Sequence, residues 1–168
     1  MRRLSTGPLT TVVTPAGGGG VLLGEHALTR WTPDGVADAD GVRLYLRDAD
    51  DGTVWSAGLA PVARRPDAYR VHATVRRVEI ARTDGDVSVS TDVCTDGDAD
   101  LRRYTIANRG PRTRTLELTT YAEAVLNTPA GDRGHPAFSK LFVQTEVVGD
   151  PAAPEALLAR RRLRSPDD

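Results

Sequence analysis

A single cysteine, Cys94, stands in 168 residues. One thiol allows neither a disulfide framework nor a cysteine-built zinc cluster within the chain. It follows Val87, Val89 and Val93 in a strand-like run and reads as a small packed side chain, not a nucleophile. Lysine is as scarce. Lys140 is the only one, so nearly all positive charge is arginine. That bias reads as the composition of a GC-rich genome; the preference of guanidinium for planar ligands is the alternative. Neither sign of charge is in excess, with 22 basic and 23 acidic residues. Without a basic stripe, a nucleic-acid partner is not expected. No apolar run approaches the roughly 20 residues of a membrane helix. Met1 to Thr10 carries two arginines with no apolar stretch behind them, unlike a secretory signal. The cytoplasm is the expected location.

Motifs that carry chemistry are also scarce. His26, His72 and His135 are too far apart for ligand spacing, so neither a metal nor another cofactor is expected. There is no Gly-x-Ser-x-Gly elbow. The run Gly17 to Gly20 is followed by Val21-Leu22-Leu23, not by the Lys-Ser or Lys-Thr of a phosphate cradle, and reads as a flexible turn. The clusters Asp48, Asp50, Asp51 and Asp84, Asp86 and Asp96, Asp98, Asp100 fall in turns, where carboxylates bond their own backbone.

What the chain does have is alternation. Val42, Leu44 and Leu46 alternate with Arg43, Tyr45 and Arg47; Tyr69, Val71, Ala73 and Val75 alternate with polar neighbours. Val87, Val89 and Val93 form a third run; Leu116, Leu118, Thr120 and Ala122 form a fourth. Period two marks strands with one buried face in antiparallel sheets. The inward phase shifts between Val75 and Val78, which predicts a tight turn or bulge near Arg76-Arg77. Asp34-Gly35, Asp40-Gly41, Asp51-Gly52, Asp84-Gly85 and Asp96-Gly97 punctuate the runs as hairpin turns do. The expected fold is an all-β antiparallel sandwich with at least eight strands and helix below about a fifth of the residues. Asn127 to Pro136 reads as a loop. Pro154 to Leu163 reads as the one helix candidate, or as a last strand without its partner.

Aromatic residues are few, so each is informative. Arg30-Trp31 and Trp55 suit a sugar-binding surface, with the ring against a pyranose and charged groups for its hydroxyls; packing between sheets is the alternative. Arg30 could hydrogen-bond sugar hydroxyls or phosphate. The segment His135 to Lys140 is the second candidate, with Phe138 as a stacking ring; its alternative is the start of a long strand with Phe138 in the core. Arg160, Arg161, Arg162 and Arg164 read as a solvated or domain-facing run.

Several blocks carry a family resemblance. They are Leu28-Thr29-Arg30-Trp31, Tyr45-Leu46-Arg47-Asp48, Val54-Trp55-Ser56-Ala57-Gly58, Leu101 to Asn108, Arg112 to Glu123, and above all His135 to Glu146. Arg160-Arg161-Arg162 and Ser165-Pro166-Asp167-Asp168 follow. The chain resembles, from about Thr6 to Asp168, the N-terminal β-supersandwich domain of glycoside hydrolase family 94, formerly glycosyltransferase family 36. The cyclic β-1,2-glucan synthase type is nearest. Cellobiose and chitobiose phosphorylases are more distant.

The resemblance implies a galactose-mutarotase-like supersandwich beside an (α/α)6 barrel that holds the catalytic aspartate. It implies a single, incomplete domain over residues 1–168, no catalytic residue in this chain, and a β-linked glucan or glucose oligosaccharide as ligand. The barrel would be supplied in cis or on another chain. The tentative carbohydrate-contacting set is Arg30, Trp31, Trp55, His135, Phe138 and Lys140. Val21-Leu22-Leu23 departs from the cyclic glucan synthase type, which usually carries an aromatic residue after the glycine-rich turn. Three readings follow: a sugar-binding or scaffolding domain beside a barrel, a gene product without independent function, and a stand-alone sugar-binding module. Apolar residues of Lys140 to Val148 left uncovered would favour a homodimer.

Overall fold

A computed structural model describes residues 1–34, 36–150 and 152–162. Gly35, Arg164 and the Ser165 to Asp168 block therefore lie outside the described residues. In chain order the strands are β1 (Arg2–Thr6), β2 (Leu9–Val13), β3 (Val21–Leu23), β4 (His26–Thr29), β5 (Arg43–Asp48), β6 (Val54–Ser56) and β7 (Ala68–Ala73). They continue with β8 (Arg77–Asp84), β9 (Val87–Asp96), β10 (Ala99–Asn108), β11 (Leu116–Tyr121) and β12 (Ala124–Asn127). Two short helices follow, α1 (Pro129–Gly134) and α2 (Pro136–Lys140), and then β13 (Val143–Asp150) and β14 (Ala153–Arg161). Strand takes 54% and helix 7% of the described residues, so the all-β expectation holds. No helix among them is long and apolar enough to cross a membrane.

Among the described residues every strand pairing is antiparallel, and they form four sheets, with orders β1-β2-β3-β4-β12, β10-β9-β8-β7, β11-β5-β6 and β13-β14. The β8-β9 and β9-β10 hairpins close with two residues between Asp84 and Val87 and between Asp96 and Ala99. Gly85 and Gly97 take φ of 57° and 53° there, the left-handed region such turns require. The phase shift near Arg76-Arg77 is a turn: Ala73 pairs with Val78, and the Thr74 N–H donates to the Arg77 carbonyl at 2.8 Å.

The four-stranded sheet forms one layer, and two others share its inner face. At one end Val87 and Val89 pack with Leu44, Leu46 and Trp55 of the β11-β5-β6 sheet. At the other end Val78, Ile80 and Val93 pack with Leu4 and Val13 of the first sheet. Full burial of such side chains is worth roughly 1.5–3 kcal/mol each. These contacts join the sheets into a sandwich.

Four expectations need correction. Gly17 to Gly20 is not a flexible turn; Gly18, Gly19 and Gly20 are buried, and Gly20 exchanges hydrogen bonds with Val12 at 2.8 and 3.1 Å. Val71 and Val75 do not face a core: Val71 is exposed on the edge strand β7, and Val75, in the turn after it, is 79% exposed. Residues 127–136 are not wholly loop, because α1 forms behind its Thr128 cap, whose Oγ1 accepts from the Gly131 N–H at 3.1 Å. Most of Pro154 to Leu163 is strand: β14 pairs with β13 from Val143↔Arg161 to Asp150↔Ala153, so it keeps a partner. That hairpin leaves Val147, Val148, Leu157 and Leu158 exposed.

Candidate functional site

Arg30 leaves the end of β4, and its backbone N–H donates to the Glu123 carbonyl at 2.9 Å. This bond sets β4 beside the short link between β11 and β12. The Arg30 guanidinium then grips Asp132 of α1 with two parallel bonds, Nε to Oδ2 at 2.9 Å and Nη2 to Oδ1 at 2.8 Å. Such a fork is both strong and directional. Its Nη1 pairs with Glu123 Oε2. Glu123 also holds Lys140 of α2, with Nζ at 3.1 Å from Oε2, and accepts from the Tyr121 hydroxyl at 2.8 Å. One carboxylate thus joins β11, β4 and α2.

A buried serine secures α2 from behind. Ser139 is 2% exposed; its Oγ lies 3.3 Å from Arg161 Nη1, which also donates to the Ser139 and Val125 carbonyls. Arg161 stands 5.4 Å from the centre of the Phe142 ring, and Phe138 meets Phe142 edge to face at 5.2 Å. The arginine run is therefore partly structural: Arg161 locks α2, Arg160 pairs with Glu146, and Arg162 donates to the Leu141 carbonyl.

The outward side of this cluster is aromatic and charged. Tyr121 is 45% and Phe138 49% exposed, and the Lys140 side chain is 52% exposed. Tyr45 adds a second tyrosine, edge to face with Tyr121 at 6.5 Å. Arg30 lies beneath with its side chain 14% exposed and its charge already matched.

Burial pushes the Glu123 carboxyl up, but the hydrogen bonds from Tyr121 and Lys140 and the Arg30 charge outweigh it and hold the group below the usual range. The Arg30 hydrogen bond holds Asp132 low against its burial. A general acid needs the opposite displacement. These two carboxylates are suited to accept hydrogen bonds, not to donate protons. Groups with depressed folded pKa values contribute stability above their unfolded values, about 4, and lose it as pH falls through the folded ones. Thermal melts from pH 7 down to pH 3 are therefore expected to fall below about pH 4. The fall is expected to be shallower in Glu123→Gln; an equal fall in that variant counts against the coupling.

The sequence candidates separate into three places. Arg30 and Lys140 come together through Glu123, Phe138 meets Phe142, and His135 is exposed at the junction of α1 and α2. Phe138 begins no strand and fills no core; it lies on a helix surface. Trp55 is 3% exposed among Leu44, Leu46 and Val89, which leaves no ring face open to a sugar. Trp31 turns away from its neighbour Arg30 and packs on Gly20, whose missing Cβ would stand 2.6 Å from Trp31 Cβ. Tyr45, Tyr121, Glu123 and Asp132 were not among the sequence candidates. The available signal was the polar phase of the fourth alternating run, which puts Tyr121 and Glu123 on its wet side.

The domain model of the glycosyl hydrolase 94 supersandwich matches residues 1–168. The chain belongs to this family. The supersandwich is also 35% identical over 169 residues to the cyclic beta-(1,2)-glucan synthase NdvB of Rhizobium meliloti (strain 1021). That match covers 98% of this chain and 6% of the relative, so the chain spans about 6% of that protein's length.

Proposed function

We propose that this supersandwich is the non-catalytic, glucan-facing part of a family 94 enzyme of the cyclic β-1,2-glucan synthase or phosphorylase type. The observation that carries the reading is Glu123, which binds Arg30, Lys140 and Tyr121 at once and fixes the exposed Tyr121 and Lys140 beside each other. Aromatic rings offer apolar faces to the C–H side of a pyranose. Lys140 and the free lone pairs of Glu123 offer partners to its hydroxyls. The glucan specificity named for the relative fits this chemistry. In this reading the sandwich is a stiff platform, and the acid that cleaves or forms the glycosidic bond belongs to an (α/α)6 barrel beside it. The exposed Val147, Val148, Leu157 and Leu158 of the β13-β14 hairpin offer a face for that barrel or for a second copy.

The chain is expected to release no glucose 1-phosphate from β-linked glucose oligomers and inorganic phosphate. The assay compares it with a no-protein control, using a preparation free of host phosphorylase. Release above the control that persists in the Glu123→Gln and Asp132→Asn variants would place catalysis elsewhere in this chain. Release lost in those variants would make the cluster an active site. Either result overturns the reading.

A further inference from the structure

Helix α2 has little to hold it from within. It spans five residues, Pro136–Lys140, and helices shorter than about 12–15 residues are marginal on their own. His135 at its N-terminal end makes no side-chain capping bond. Yet its last residue, Lys140, is held with Nζ 3.1 Å from Glu123 Oε2. The last carbonyls of a helix lack partners within it and attract a cation. Here the cation comes from the far end of β14. Arg161 Nη1 donates to the Ser139 carbonyl at 3.2 Å, and to Ser139 Oγ and the Val125 carbonyl, both at 3.3 Å. Its guanidinium lies 5.4 Å from the centre of the Phe142 ring. The next residue closes the joint: the Arg162 N–H donates to the Phe142 carbonyl at 2.8 Å, and Arg162 Nη2 to the Leu141 carbonyl at 3.2 Å.

The β13-β14 hairpin depends on the same joint. Val143, Thr145 and Val147 share one face of it with their cross-strand partners Arg161, Ala159 and Leu157. At the base of that face Val143, Ala159 and Arg161 are half-buried; towards the tip Val147 and Leu157 are exposed. A two-stranded hairpin is marginally stable by itself, so this one is held chiefly where its base meets α2. Two elements that are each weak alone thus meet at one guanidinium. We infer that α2 and the β13-β14 hairpin form a single cooperative unit with Arg161 as its joint, which makes Arg161 a positioning residue for Lys140 at the Glu123 surface. Loosening of the hairpin then releases Lys140, and a partner that steadies the hairpin tightens the surface. What that surface binds rests on the reading proposed above; the coupling does not.

Amide hydrogen exchange of the whole chain tests the coupling. In α2 and just beyond it the N–H groups of Ser139, Leu141 and Phe142 donate to the His135, Phe138 and Ser139 carbonyls. In Arg161→Met these amides and the interstrand amides of the hairpin are expected to lose protection together, by about tenfold, while the β8-β9 amides keep theirs. Arg161→Lys, which returns a cation to the Ser139 carbonyl, is expected to recover part of the loss in both elements. A second readout lies at Glu123, which faces Arg30, Tyr121 and Lys140. Without the Lys140 hydrogen bond its carboxyl is expected to titrate at higher pH in Arg161→Met, by carbon NMR, and equally in Lys140→Met. If Arg161→Met unfolds the β8-β9 core, Arg161→Lys carries both readouts. Hairpin amides that lose protection while the α2 amides and the Glu123 titration stay as in the parent chain overturn the inference, and so does no change in either element. Failure of a glucose oligosaccharide to bind the parent chain counts against the reading of the surface and leaves these exchange results standing.

Discussion

Gly19→Ala is expected to leave the chain without a cooperative unfolding transition. Gly19 has φ of 123°, where an L residue is strained. An added Cβ would overlap the Val12 carbonyl oxygen and stand 2.7 Å from its carbon. The backbone cannot yield easily, because Val12 and Gly20 are tied by two hydrogen bonds across that contact. Gly41 presses from another side, since a Cβ there would run into the Gly19 carbonyl. Strain and overlap together are expected to cost more than about 4 kcal/mol, a large part of a typical domain's stability. Gly24→Ala is the control. Its φ is 57° with nothing within 4 Å of the added Cβ, so it is expected to cost only about 1–2 kcal/mol. Circular dichroism melts of both variants check the pair. Equal, small losses would show that the glycine run is looser than described.

Arg82→Met is expected to cost about 3–5 kcal/mol, the usual effect of stranding one partner of a buried pair. Arg82 follows Val78 and Ile80 on the inward face of β8 and is 1% exposed. Its guanidinium grips Asp84 at 2.6 and 2.9 Å and donates to the Gly58 and Arg64 carbonyls at 2.6 and 2.9 Å. Methionine fills the volume but leaves Asp84, with a side chain 7% exposed, without its close cation. Arg82→Lys is expected to lose nearly as much, because one ammonium cannot span four acceptors in a fork. Adding Asp84→Asn to Arg82→Met is expected to recover part of the loss. Urea midpoints at constant slope measure all three. No recovery in the double variant would assign the effect to packing instead of charge.

Arg82 also shows where reading the sequence succeeded and where it stopped. Alternation revealed β5 and β9 because those strands bury one face and wet the other. The same pattern in β7 and β11 promised buried faces that these edge strands have only in part: Tyr69 and Leu116 pack on the core, while Val71 and Leu118 are exposed. Alternation gave no sign that an inward position could be an arginine, since only the carbonyls of Gly58 and Arg64 and the Asp84 carboxylate make it tolerable there. The alanines, leucines and arginines of β14 favour helix locally, and pairing with β13 overrides that preference. Helices as short as α1 and α2 span too few residues for a period; Thr128-Pro129 and His135-Pro136 were their only signals.

The site was legible in the same partial way. Arg30, Phe138 and Lys140 stood out as scarce or charged residues in blocks with a family resemblance. What joins Arg30 to Lys140 did not. Glu123 is 93 residues from Arg30 and Asp132 is 102 residues from it, so neither pairing has a local signature. Trp31 and Arg30 are neighbours in sequence and diverge in space because Gly20 receives the indole side.

The most direct test of the account is a residue-by-residue NMR titration of the chain with a short linear β-1,2-linked glucose oligosaccharide. The account predicts saturable shifts at Tyr121, Glu123, Phe138 and Lys140, weakened at least fivefold, about 1 kcal/mol, by Tyr121→Ala. It also predicts a smaller effect of Tyr121→Phe, which keeps the ring but drops the bond to Glu123. Shifts confined to other surfaces, or none at saturating sugar from a folded chain, would contradict it.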